Sequence, residues 1–294
     1  MKKNILATMA VVLVALTACE KPFLDEETGK ANNRGNVTLT FTATNSDATT
    51  RAATQNLALY FQKLNIMLFD ADGNKAFSQV KTQTSDDGDF GSLTCQLTEG
   101  TYTVVAVGHS SIKSATIKSP QMVQFTASDG EKLTDTFCYC GQIEVGNDDL
   151  QQTFQMQRVA AMVQFKFTDA TVPASFARLT IAYTGGSANF NPTTSEGTTK
   201  STQSENRLKS DTSTYHVFTF PYLAETGTLK MTVTAFDADG NTLRQREFAT
   251  VPIVRNRITT YTGQFFDGTE GNFTQTTFGF SVNGDWSGED NYTF

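Results

Sequence analysis

The first reactive side chain placed by a pattern is Cys19. It follows Leu16-Thr17-Ala18, which close a leader made of Lys2, Lys3 and an apolar run from Ile5 to Leu16. Charge, apolar core and small-residue cut site in that order form a secretory signal. The apolar run is shorter than the ~20 residues a membrane-spanning helix needs. Elsewhere the residues that could do chemistry do not assemble into a set. His109 stands beside Ser110 and Ser111, and His216 ends Thr214-Tyr215-His216 at the start of a strand. A hydrolase needs a base aimed at a nucleophile and an acid that orients it. No Gly-x-Ser-x-Gly elbow is present, so both histidines are read as surface or strand-end residues. Asp-Ala-Asp-Gly-Asn occurs at 70–74 and again at 237–241. A calcium loop of EF-hand type wants glycine sixth and glutamate twelfth. Here Gly73 and Gly240 stand fourth, and Lys81 and Phe248 stand twelfth, so both segments are read as hairpin turns. Gly185-Gly186-Ser187 is a loop without the pattern of a phosphate cradle. Asp86-Asp87 and Asp148-Asp149 are adjacent loop acids; a glycosidase pair would have to come from carboxylates far apart in sequence. The expectation is no catalysis, no cofactor and no metal site.

Removing the leader leaves Cys95, Cys138 and Cys140 besides Cys19. Three thiols cannot all pair within the chain. Two readings stand: a bridge from Cys95 to one of the others in an oxidising compartment, or three unpaired thiols. Cys138 and Cys140 are two apart and share one face of any strand that holds them. No histidine lies close enough to suggest zinc. The leader holds two lysines and no acid, so the net charge falls from −7 to −9 on cleavage. Nucleic acid and anionic headgroups repel such a chain.

The elements that must carry these residues read as strands. Val37, Leu39, Phe41 and Ala43 alternate with Thr38, Thr40, Thr42 and Thr44, the mark of a half-buried strand. Further strands are expected at 64–69, 92–97, 101–107, 122–126, 152–157, 159–168, 178–183, 217–220, 229–236, 243–250, 257–265 and 277–282. No long segment has helical periodicity with caps. The order is a signal peptide at 1–18, a polar tether at 19–36 with Asp25-Glu26-Glu27, sandwich domains at 37–157 and 158–294, and a boundary near Arg158. The repeated Phe-Asp-Ala-Asp-Gly-Asn at 69–74 and 236–241 suggests one matching hairpin per domain.

Three features carry a resemblance. Leu16-Thr17-Ala18-Cys19 is similar to the lipobox of bacterial lipoproteins, which implies an acylated Cys19 and an outer-membrane anchor, with palmitate among the chains. Several chains, at about 0.8 kcal/mol per buried CH₂, hold a protein where one would not. The acidic tether resembles surface-export signals of some Gram-negative lipoproteins and reads equally as a solvated spacer. Leu64–Asn74 (LNIMLFDADGN), Leu97–Gly108 (LTEGTYTVVAVG), Met156–Phe167 (MQRVAAMVQFKF) and Arg255–Phe265 (RNRITTYTGQF) resemble, in order, segments of the fimbrillins, or type V pilins, and most of all their FimB-like anchor and accessory subunits.

That resemblance implies two all-β, transthyretin-like sandwich domains in a fimbrial subunit or anchor exposed at the cell surface, with other fimbrial subunits as partners. It also implies that the first strand, 37–44 with Val37, Leu39 and Phe41 inward, is removed by a protease and replaced by a strand from a neighbour. Arg51 stands where a trypsin-like enzyme would cut; it reads equally as a solvated loop arginine. Phe278, Phe280 and Val282 alternate in a candidate donor or final strand. The alternative class is a surface lipoprotein for a glycan or host ligand. Sugar platforms need exposed aromatic rings, and the one tryptophan is Trp286. Tyr222 and Tyr261 have strand or core explanations, so the structural class is preferred.

Overall fold

The computed structural model describes residues 34–43, 56–126, 132–222, 226–267 and 288–293. Over these residues the protein is β-strand and turn, as the threonine-rich alternation requires. The one helical element among them is a 3-10 turn at Leu57–Leu59, capped by the Asn56 side chain, which accepts from the Ala58 N–H. The strands are β1 (Arg34–Ala43), β2 (Lys63–Phe69), β3 (Lys81–Thr84), β4 (Ser92–Thr98), β5 (Gly100–His109), β6 (Thr116–Ser119), β7 (Met122–Gln124), β8 (Phe137–Val145) and β9 (Leu150–Arg158). They continue as β10 (Ala161–Phe167), β11 (Phe176–Gly186), β12 (Asn189–Asn191), β13 (Glu196–Gly197), β14 (Ser201–Leu208), β15 (Thr214–Thr219), β16 (Thr226–Asp237), β17 (Thr242–Val254), β18 (Arg257–Gly263) and β19 (Gly288–Thr293).

One strand order occurs twice. In the first half β3-β2-β5-β8 and β4-β1-β9 are joined where Phe137 and Cys138 of β8 pair with Arg158 and Gln157 of β9. In the second half β14-β11-β16-β17 and β15-β10-β18 repeat that order. The pairing senses repeat too. β1 is antiparallel to β4 and parallel to β9, as β10 is antiparallel to β15 and parallel to β18. The second half adds β19, parallel to β18. Each half encloses its own apolar interior, the first around Leu39, Phe41, Leu64, Leu68 and Phe154, the second around Phe165, Leu179, Val233 and Tyr261.

A third apolar cluster lies between the halves. β6 and β7 are inserted between β5 and β8, and β12 and β13 between β11 and β14; together they form the sheet β13-β12-β7-β6. Its Ile117, Val123 and Phe190 pack with Met67, Phe69, Val105 and Val107 of the first half and with Met162, Phe218 and Ile258 of the second. β2 is therefore buried on both faces, which is why it reads as an unbroken apolar run. Arg158 ties the same junction. Its Nε and Nη2 donate to the Asp135 carboxylate and its Nη1 donates to Asn256 Oδ1, at 2.8–3.0 Å. Its guanidinium lies 4.6 Å from the Phe137 ring centroid.

Several sequence expectations change. The two Asp-Ala-Asp-Gly-Asn turns are alike in chemistry and unlike in position. The first joins β2 to β3 and the second joins β16 to β17, which correspond to different steps of the repeated order. What recurs is a local solution to a tight turn. Asp70 and Asp237 each accept from the backbone four residues on, and Gly73 and Gly240 take φ of +82° and +89°. All three thiols are free. Cys138 and Cys140 do share a face of β8 and meet the cluster between the halves, while Cys95 borders the first interior.

His109 ends β5 as a buried residue, not a surface one. Its Nδ1 accepts from the Ser111 N–H, so the proton sits on Nε2, which donates to Asn65 Oδ1 at 2.7 Å. Burial, helped by the charge of nearby Lys63, pushes its pKa down to about 3. The unfolded histidine takes a proton near its ordinary value of about 6.5, and the folded one refuses it until far lower. Stability from this site is complete above about pH 6.5 and declines as the pH falls toward 3, by about 2 kcal/mol at pH 5. Urea titrations of the native chain and of His109→Gln at pH 7.5 and pH 5 should show a smaller pH-dependent loss in the variant. Equal losses would contradict the assignment.

Candidate strand-exchange site

β1 is an interior strand held on both sides. Arg34–Thr40 pair antiparallel with Thr98–Ser92 of β4, and Val37–Ala43 pair parallel with Leu150–Met156 of β9. Val37, Leu39 and Ala43 have no exposure and Phe41 has 2%. The threonines between them face outward and are partly exposed, as the alternation in the sequence requires. Polar contacts fix the register. Asn36 Nδ2 donates to Asp149 Oδ1 at 3.0 Å, Thr42 Oγ1 donates to the Phe154 carbonyl at 3.2 Å, and the Phe41 N–H donates to the Gly91 carbonyl at 2.8 Å. The Phe41 ring tilts against Phe154 with centroids 5.8 Å apart.

Withdrawing β1 would leave two facing strand edges with unpaired backbone groups and an apolar channel between them. The side chains of Val37, Leu39 and Phe41 stabilise the closed form by about 1.5–3 kcal/mol each, gross. Any strand that refilled the slot would need apolar residues at the same spacing. It would also need a small residue at the position of Gly35. A Cβ there would stand 2.7 Å from the Gly146 carbonyl oxygen and 3.2 Å from that of Asp148. Gly35→Val is therefore expected to destabilise the chain by about 1–3 kcal/mol in urea unfolding. No loss would show that the β8–β9 turn can yield.

Val37, Leu39 and Phe41 thus come together in one interior. Cys19, Arg51, Phe278, Phe280 and Val282 lie outside the described residues, as does Trp286. The C-terminal strand that is described, β19, is not expected from the sequence, because Gly-Glu-Asp-Asn-Tyr-Thr has no apolar alternation. Tyr292 nonetheless stacks on Tyr261, with centroids 4.9 Å apart and rings inclined by 19°. Tyr261 itself is a core residue, and Tyr222 carries Lys200 over its ring.

An open cleft of about 500 Å³ lies beside the Asp70–Gly73 turn, with Thr103, Gln121, Gln142 and, from the second half, Thr193 in its walls. No aromatic ring lines it. Asp70 is committed to its own turn, and hydrogen bonds led by that from the Asn74 N–H lower its pKa. Among the described residues no three acidic, histidine or cysteine side chains cluster to hold a metal ion. No helix of the described residues is long and apolar enough to cross a membrane.

Residues 28–294 match the profile of a family of unknown function, DUF6562. The chain belongs to that family. The match covers β1, both halves of the fold and β19. No curated protein matches this member of the family. Its structural neighbours include fimbrial proteins, candidate adhesins and candidate polysaccharide-binding proteins of Bacteroides, Parabacteroides and Porphyromonas. One is the fimbrial anchor protein Mfa2 from Porphyromonas gingivalis, at 15% identity over 74% of this chain and 83% of that one, TM-score 0.43. Another is a fimbrial assembly protein from Parabacteroides distasonis, at 12% identity over 79% and 90%, TM-score 0.39. A candidate adhesin from Bacteroides ovatus shares 13% identity over 72% and 76%, TM-score 0.46.

Proposed function

We propose that this chain is a structural subunit or anchor of cell-surface fimbriae, held at the outer membrane by lipid on Cys19 and joined to neighbouring subunits by exchange of β1. The observation that carries the reading is the β1 slot. A strand near the N-terminus supplies alternate inward residues to one interior, lies between two other strands, and precedes Arg51. Cutting there and losing β1 would turn a closed fold into an acceptor of extended chain. The two halves serve as tandem transthyretin-like sandwich domains, and the repeated strand order supports that description. The leader, Leu16-Thr17-Ala18-Cys19 and the acidic tether support the location.

The role is tested in cells. Cys19→Ala should move the chain out of the outer-membrane fraction and strip surface filaments, or leave them unattached, in electron micrographs. Unchanged fractionation and unchanged filaments would oppose it.

A further inference from the structure

The repeated strand order places Phe154 of β9 and Tyr261 of β18 at the same point. Phe154 is in register with Phe41 and Tyr261 with Phe165, and in both pairs the ring centroids are 5.8 Å apart. The outer edges of these two strands differ. β18 carries β19 along Arg257–Thr262, with Tyr292 stacked on Tyr261. β9 meets β8 only at Gln157 and Arg158, and among the described residues no strand pairs with its outer edge from Leu150 to Met156. A ring of β8 lies beside that edge instead. Tyr139 of β8 stacks on Phe154 with centroids 4.3 Å apart and rings inclined by 22°. Its ring crosses Gly141, where a Cβ would stand 2.3 Å from the Tyr139 hydroxyl oxygen. The glycine is what lets the ring lie flat over the seam between β8 and β9.

We propose that the outer edge of β9 is a second strand-acceptor site, latched by Tyr139. Its occupant is the Gly288–Thr293 segment of a second copy, running parallel to β9 with Tyr292 on Phe154. The choice of occupant follows from the fold. That segment already fits the corresponding edge of β18, in a register that would set Tyr292 opposite Phe154. The strand edge of β9 supplies the backbone hydrogen bonds, and the face of Phe154 that Tyr139 covers supplies a side-chain pocket once that ring moves. Tyr139 competes for that face, so the site opens only when its ring swings away, and apparent affinity falls by the fraction of time it stays closed. This site needs no cleavage and leaves β1 in place, so it stands or falls independently of β1 exchange.

The test uses the intact chain and a synthetic peptide of residues 288–294, followed by fluorescence anisotropy and by hydrogen exchange of the 150–156 amides. Tyr139→Ala should bind the peptide about fivefold or more tightly than the native chain. Tyr139→Phe, which keeps the stack, should match the native chain. The peptide with Tyr292→Ala should lose most of its binding, and exchange should slow at 150–156. At high concentration the Tyr139→Ala chain should dimerise, and Tyr139→Ala/Tyr292→Ala should not. If circular dichroism shows Tyr139→Ala to be unfolded, Gly141→Ala displaces the same ring by a single methyl and takes its place in each measurement. Unchanged exchange at 150–156, protection confined to β18, or equal binding of the Tyr292→Ala peptide would each overturn the proposal.

Discussion

Phe41→Ala will lower the stability of the intact chain by about 3–5 kcal/mol, measured as a shift in the urea midpoint at constant slope. The ring is 2% exposed and leans on Phe154, with Leu39 and Ala43 beside it in the same interior. Truncation removes its transfer energy and leaves a cavity. β1 is held on both sides by backbone pairing, so the surrounding strands cannot collapse far into that space. Thr40→Ala, on the outward face of the same strand, should change stability by less than about 0.5 kcal/mol. The contrast matters more than either value. A strand that stores energy for exchange must keep it in its inward side chains. Equal small losses at both positions would mean that β1 is held by its backbone alone.

Arg158→Ala is expected to cost about 2–4 kcal/mol. The arginine side chain is 5% exposed and satisfies Asp135, whose own side chain is 24% exposed. Water can reach part of the Asp135 carboxylate, so the loss should fall below that of a fully buried pair. The variant also removes the bond to Asn256 Oδ1, in the β17–β18 turn at φ +58°, and uncovers the Phe137 ring. Arg158→Lys should recover little, because an ammonium cannot reach Asp135 with two parallel bonds and Asn256 with a third. Amide exchange should quicken in the 254–257 turn as well as near Asp135, since the side chain bridges the two halves. A change confined to the first half would argue that the bridge to Asn256 contributes nothing.

Two kinds of strand are visible in the sequence: those buried on both faces, such as β2, which read as apolar runs, and those with one face on an interior and the other in water. β1 and β9 are of the second kind, and their alternation locates them to within a few residues; β10 alternates only after Met162, which faces the cluster between the halves. β1 itself starts at Arg34, ahead of the first apolar residue of the pattern. β8 is invisible because Gly141 and two cysteines interrupt it, although it is central to its sheet. β14 is invisible for a different reason. Its inward residues include Gln203 and Glu205, polar side chains kept buried by Lys132 and Arg207, so its pattern reads as solvent on both faces. The cluster between the halves cannot be read at all. It depends on insertions at two different steps of the repeat coming together in space. The candidate site divides along the same line. Val37, Leu39 and Phe41 announce themselves by spacing. The limit set by Gly35 and the ring of Tyr139 over Gly141 depend on approaches between strands that no local pattern records.

The most direct test of strand exchange is limited proteolysis of the purified chain after Arg51, followed by mass measurement in solution. Release of the segment that ends at Arg51, β1 included, should yield oligomers that grow with concentration, and a synthetic peptide of residues 34–43 added in excess should suppress them. A cut chain that stays monomeric, with the thermal midpoint of the uncut protein and no response to the peptide, would contradict a role for β1 in assembly.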